Sequence, residues 1–151
     1  MATNFLSGPG APITANGSYV VVPVEASANI YQYAHVCYDS SGYIVRAADV
    51  SGNIYAGVTT NAANNASGAA GAISVTVETL ATAPYYAYPV ASGSTGTQAW
   101  VGVHAFIIDD SGSIVQAATS VNKVIVGRVI QMIDPTLMVV DRTDRYALAT
   151  T

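Results

Sequence analysis

Charge is what this chain has least of. Only 9% of its 151 residues are Asp, Glu, Lys or Arg, against a usual share of about 25%, while hydrophobic residues make up 51%. Such a composition is too apolar for intrinsic disorder and too poorly charged for a monomer wetted on all sides. Part of the surface is therefore expected to be covered by a neighbour. Five Lys and Arg stand against nine Asp and Glu, a net charge of −4 with no basic run, so nothing could track a phosphate backbone and nucleic acid is excluded as a partner. No stretch approaches the roughly 20 apolar residues of a membrane span. The opening "MATNFLSGPG" has neither a basic n-region nor an apolar h-region, and the expectation is a soluble protein without a standard secretion signal or a membrane partner. A single cysteine, Cys37, excludes an intrachain disulfide framework and reads as a small buried apolar residue.

Catalytic motifs are missing as well. The sequence contains no GxSxG, GxxxxGK(S/T) or HExxH, and no GxGxxG between a strand and a helix, so no catalytic, cofactor or metal site is assigned and the chain does not read as an enzyme. His35 and His104 invite a metal or acid–base reading, but they do not occupy equivalent places. Their separation of 69 residues departs by one from the 70-residue match described below, which points them to opposite faces of their strands. Zinc would want three or four ligands with an orienting shell. Asp39, Asp109 and Asp110 lack the spacing of a calcium loop, and a hydrolytic carboxylate pair would need an apolar cleft that nothing in the sequence indicates. Turn chemistry accounts for them. Asn16–Ser18 and Asn65–Ser67 match the glycosylation pattern and fit exposed loops.

What the chain does have is one phrase spelled twice. "YDSSGYIVRAA" and "IDDSGSIVQAA" align without a gap, pairing Asp39 with Asp109, Ser41 with Ser111, Gly42 with Gly112, Ile44 with Ile114, Val45 with Val115, Ala47 with Ala117 and Ala48 with Ala118; Gly57 and Gly127 extend the match. An aspartate can bond its own backbone two residues on, and a glycine supplies positive φ, so Asp39 to Gly42 and Asp109 to Gly112 are predicted to close β-hairpins. Each copy predicts a strand before the turn (31–38, 100–108), a short strand after it (43–47, 113–117) and a closing strand (54–59, 123–131).

Around these copies, residues 1–17 carry Gly and Pro without a period and predict an extended N-terminal arm. Residues 18–151 are expected to form one β domain, with pseudo-repeats at about 31–60 and 100–131. "SYVVVPVEA" predicts an edge strand because of Pro23. "TTNAANNASGAAGA" predicts a loop, since it has no large apolar residues to anchor a helix, and "ISVTVETL" and "TLMVVD" predict strands. Tyr85, Tyr86 and Tyr88, framed by prolines, and Trp100 are candidates for packing between the units or for contact between subunits. Short strands and frequent turn signals indicate an all-β fold, a barrel or sandwich.

The segments "GAPIT…YVVVPV" and "HAFIIDDSGSIVQAATSVNKVIVGRVIQMIDPTLMVVD" resemble the small capsid decoration, or cement, proteins of tailed bacteriophages. The family runs from a G-x-P-(I/L)-T-like segment through a V-x-x-D-x-x-G-x-(I/V) hairpin to (V/I)-G-x-(V/A) and (L/V)-x-V strands. The counterparts here are Gly10 to Thr14, Ile108 to Ile114, Val126 to Val129 and Leu137 to Val139. The resemblance implies a homotrimeric β-barrel or β-tulip protein on the outer surface of the virion, made in the cytoplasm of a bacterial host. It implies binding to the major capsid protein at three-fold and quasi-three-fold positions of the expanded head, and clamping of neighbouring capsomers. An arm holding Pro9, Gly10, Pro12, Ile13 and Thr14 could order on the capsid by adding a strand to an open edge. The alternative is a head-fibre or carbohydrate- or receptor-binding β module that uses the tyrosines as a platform.

Overall fold

Alternation of apolar and polar residues builds almost everything in this chain, and the computed structural model describes residues 19–79, 85–112, 114–116 and 121–143. The expected arm at 1–17, with Pro9, Gly10, Pro12, Ile13 and Thr14, lies outside the described residues. So does the end of the tail, 144–151.

The first sheet uses β1 (Tyr19–Pro23), β3 (His35–Tyr38), β4 (Ile44–Arg46), β5 (Ile54–Thr59) and β7 (Ser74–Glu78), in the order β1-β7-β5-β3-β4. The second uses β8 (Tyr85–Pro89), β9 (His104–Ile107), β10 (Ile114–Gln116), β11 (Ile125–Asp134) and β12 (Leu137–Asp141), in the order β10-β9-β11-β12-β8. Two short strands, β2 (Asn29–Ile30) and β6 (Ala63–Asn64), pair with each other. One turn of 3-10 helix, Gln98–Trp100, buries Trp100. All the sheet pairings are antiparallel.

Two cores result. In β1 and β7, Val22, Val75 and Val77 face inward while Tyr19 and Val21 face out, the pattern of a sheet covered on one side. The central pair β3 and β5 is buried on both faces. Val36, Ile44 and Ala56 join Val22, Val24, Ile30, Ala63, Val75 and Val77 beneath β2 and β6. Their neighbours Cys37 and Tyr55 turn the other way, into a core shared with Trp100 of the 3-10 turn and with Tyr88, Ala105, Ile107, Val126, Met138 and Val140 of the second sheet. Adjacent residues of one strand thus serve different cores, as a side-chain period of two requires.

The expectation of a barrel needs correction, because none of the three sheets closes. A single parallel bridge, Val24 to Ile44, reaches from the end of β1 toward β4, and the Glu25 amide donates to the Ile44 carbonyl at 3.0 Å. No ladder follows. Pro23 has no N–H to extend one, and the chain turns away at once, the Ala28 amide donating to the Glu25 carbonyl. β1 lies at an edge, where its proline is tolerated.

Two segments differ from the sequence expectation. The tyrosine stretch, for which no strand is expected, is the edge strand β8, whose residues pair with β12 from Tyr85–Asp141 to Pro89–Leu137. The Ala/Asn stretch contains β6 and the buried Asn65. That side chain is 2% exposed, and its Nδ2 donates to the carbonyls of Glu25 at 2.8 Å, Ala69 at 2.9 Å and Val24 at 3.4 Å. It pins the 24–28 segment to the 65–69 turn. The glycosylation pattern at Asn65 therefore falls on a buried structural amide, not on an exposed loop.

Candidate functional site

The turns come first because they set the hairpins. Asp39 Oδ1 accepts from the Ser41 amide at 2.8 Å and the Tyr43 amide at 2.9 Å, and Asp109 Oδ1 accepts from the Ser111 amide at 2.9 Å. Gly42 and Gly112 have φ of +85° and +88°, a region that residues with a Cβ enter at a penalty. The two turns differ in their surroundings. Around Gly42 an added Cβ would meet nothing within 4 Å, whereas at Gly112 it would lie 2.5 Å from Nε2 of His35. Gly42→Val is expected to lower stability by about 1–2 kcal/mol. Gly112→Val should exceed that by a further ~1–3 kcal/mol of overpacking. Urea melts of both variants, followed by Trp100 fluorescence, check this; equal losses would mean that the second turn does not press on His35.

That contact leads to a polar cluster between the sheets. His35, at the start of β3, is 6% exposed. Its amide donates to the Asp110 carbonyl at 2.9 Å, and its Nδ1 lies 2.8 Å from the Tyr55 hydroxyl on β5. The Tyr55 and Tyr88 hydroxyls are 2.9 Å apart. Arg142, just past β12 and 1% exposed, hydrogen-bonds both hydroxyls and stacks its guanidinium 4.7 Å from the centre of the Tyr86 ring. The Tyr86 and Tyr88 rings stand 5.9 and 5.3 Å from the imidazole.

The donor inventory orders this cluster. Arginine only donates, so each hydroxyl oxygen can accept from Arg142. The arrangement in which every hydroxyl proton also finds an acceptor runs from Tyr88 to Tyr55 to His35 Nδ1, which leaves His35 neutral with its proton on Nε2. The electrostatics agree. Burial, and after it the Arg142 charge, lowers the His35 pKa to about 4, although Asp109 and Asp110 pull the other way. Burial also pushes Tyr88 up to about 12 and Tyr55 well above the usual phenol range. Cys37, fully buried in the same core, is pushed up to about 12 by burial and is unreactive as a thiolate.

Contacts outside the cluster also bind the two sheets. Arg46 Nε meets Asp110 Oδ2 at 2.7 Å. The Asp49 carboxylate accepts from the Val121 and Asn122 amides, both at 2.9 Å.

The structure separates the aromatic candidates. Tyr88 and Trp100 belong to the shared core, Tyr86 is half-buried against it, and Tyr85 is 62% exposed. His104 stands on the face of β9 opposite to Ala105 and Ile107, with its Nε2 3.5 Å from Arg128. The described residues contain no group of three or more His, Cys, Asp or Glu able to hold a metal ion. Sequence reasoning missed Tyr55 and Arg142 as partners of His35. Their separations of 20 residues from His35 to Tyr55 and 33 from Tyr55 to Tyr88 leave no local pattern, and only the stacking of the sheets brings them together.

No known protein family matches the chain, no characterised protein is detectably similar to it in sequence, and no solved structure is detectably similar to it in fold.

Proposed function

We propose that this chain is a structural decoration protein that binds the expanded head of a tailed bacteriophage from outside. In this reading homotrimers sit at three-fold and quasi-three-fold positions on the major capsid protein and clamp neighbouring capsomers, without catalysis, cofactor, nucleic acid or membrane. The observation that carries the reading is apolar side chains facing outward on strands of both sheets. Tyr19 and Val21 stand out from the edge strand β1, Tyr85 from the edge strand β8, and Ile130 and Ile133 from β11. Soluble monomers usually blunt edges with charge and avoid large apolar patches, and this chain has little charge to do so. Neighbours in a shell would cover such positions.

The same reading takes β4-β3-β5 and β10-β9-β11, which share one strand order, as a hairpin unit used twice, and residues 1–17 as an arm that adds a strand to a capsid edge. A trimer multiplies weak contacts, because three linked sites can raise avidity by about 10²–10⁴ without a new type of interaction.

The test is to mix the purified protein with undecorated expanded heads of the cognate capsid protein, sediment them and count bound copies. Saturation at the number of three-fold-type positions is expected; no co-sedimentation would sink the proposal. The exposed Tyr85 favours one second reading, a glycan-binding head fibre that uses the ring as a platform. Glycan binding abolished by Tyr85→Ala, with head binding intact, would favour that reading.

A further inference from the structure

We propose that the His35–Tyr55–Tyr88–Arg142 cluster is a proton-sensitive latch, closed while His35 is neutral and released when His35 takes a proton, so that the two sheets part along their shared core. The geometry makes a second imidazole proton hard to place. In the closed arrangement Nδ1 accepts the Tyr55 hydroxyl proton across 2.8 Å. If Nδ1 is protonated, Tyr55 must turn its proton to Tyr88 across 2.9 Å, and the Tyr88 proton then faces Arg142, which can only donate. The new positive charge would also lie buried beside a guanidinium.

Every element packed on His35 bears on this balance. β5 brings Tyr55, β8 brings Tyr86 and Tyr88, the segment after β12 brings Arg142, and the β9–β10 turn brings Asp109, Asp110 and the Gly112 backbone. The two aspartates favour the proton, but Asp110 is held by Arg46. Burial and Arg142 prevail, so the closed form holds His35 near 4 instead of its ordinary 6.5. The sign follows. A base with a lowered pKa in the closed state binds more protons once it is opened, so opening is favoured as pH falls from 6.5 toward 4.

Cys37 reports on the latch, being the only cysteine of the chain and buried in that core. Its reaction with 4,4′-dithiodipyridine is followed from pH 7.5 to 4 and normalised at each pH to the chain unfolded in guanidinium. If His35 returns to its ordinary value on opening, normalised labelling should accelerate about 30-fold at pH 5 and roughly 150-fold at pH 4 relative to pH 7.5. Far-UV circular dichroism should remain that of the strands. His35→Phe, which has no proton to take, should label at a rate independent of pH.

Three results would overturn the latch: a flat profile in the natural protein, labelling that rises only as the strand signal collapses, or a His35→Phe profile like that of the natural protein. If that variant does not fold, proton NMR of the His35 imidazole in the natural protein decides. Its closed-form titration midpoint must fall near 4, where the rise in labelling levels off, and a midpoint near 6.5 in the closed form overturns the proposal. None of these readouts depends on binding to phage heads.

Discussion

Gly57→Ala is expected to destabilise the protein by roughly 3–4 kcal/mol, the sum of a positive-φ penalty and an overpacking penalty. Gly57 has φ of +144°, and a Cβ there would fall inside contact distance of the Glu78 carbonyl oxygen on β7. That carbonyl belongs to the sheet and cannot rotate away as a flexible side chain could. Its counterpart in the doubled phrase separates the two causes. At Gly127 a Cβ would collide with the Asp141 carbonyl and approach the Arg142 Cα at 2.9 Å, without a positive φ to add to the loss. Gly42 presents the reverse case, with positive φ and open space. Gly42→Ala should therefore cost about 1 kcal/mol, Gly127→Ala about 2–3 kcal/mol, and Gly57→Ala about their sum. Thermal melts read this directly, since each kcal/mol moves the midpoint of a domain of this size by about 2–4 °C. A Gly57→Ala melt no lower than that of Gly42→Ala would refute the close approach of β5 and β7.

Asn65→Asp should be comparably severe, because it removes the amide without removing any volume. The carbonyls of Glu25, Ala69 and Val24 would lose the side-chain amide and keep only the backbone amides of Ala28, Ala72 and Gly71 as donors, and a carboxylate oxygen would face them in a site 2% exposed. A carboxylate oxygen buried against three carbonyls without a donor between them costs more than the about 1–3 kcal/mol of a neutral unsatisfied group, so a loss of about 3 kcal/mol or more is expected. The variant should recover part of this in acid, where the protonated carboxyl regains one O–H donor. The His35 contribution, present in both proteins, is expected to run the other way, since its lowered pKa costs stability as pH falls from 6.5 toward 4. Urea melts at pH 7.5 and 5 distinguish the two: the gap between variant and natural protein should narrow at the lower pH. A gap that stays constant would mean that the amide does not hold the 24–28 segment.

The all-β class was legible because strand patterning is local. In "ISVTVETL" the valines alternate with polar residues, and in β7 Val75 and Val77 are the buried ones. Pro23 marked β1 as an edge by the same kind of reasoning, from one missing N–H. β8 was hidden because its prolines obscured a real alternation, in which Tyr88 is buried, Tyr86 half-buried, and Tyr85, Ala87 and Pro89 exposed. An edge strand tolerates those prolines, so a proline-framed run of tyrosines can still pair over five residues. Asn65 was hidden for another reason. Its amide looks like loop polarity until the chain segment whose carbonyls it binds, 40 residues away, is in place.

The sequence by itself determined the strands and the turn chemistry, since a period of two, an aspartate before a glycine and a proline's missing donor all act within a few residues. Only the tertiary structure decided that the sheets stay open, that Cys37 and Tyr55 face one core while Val36 and Ala56 face another, and that His35 is buried against Tyr55, Tyr88 and Arg142. Those outcomes depend on how whole sheets close and stack. That balance involves groups tens of residues apart, and no short stretch of sequence contains it.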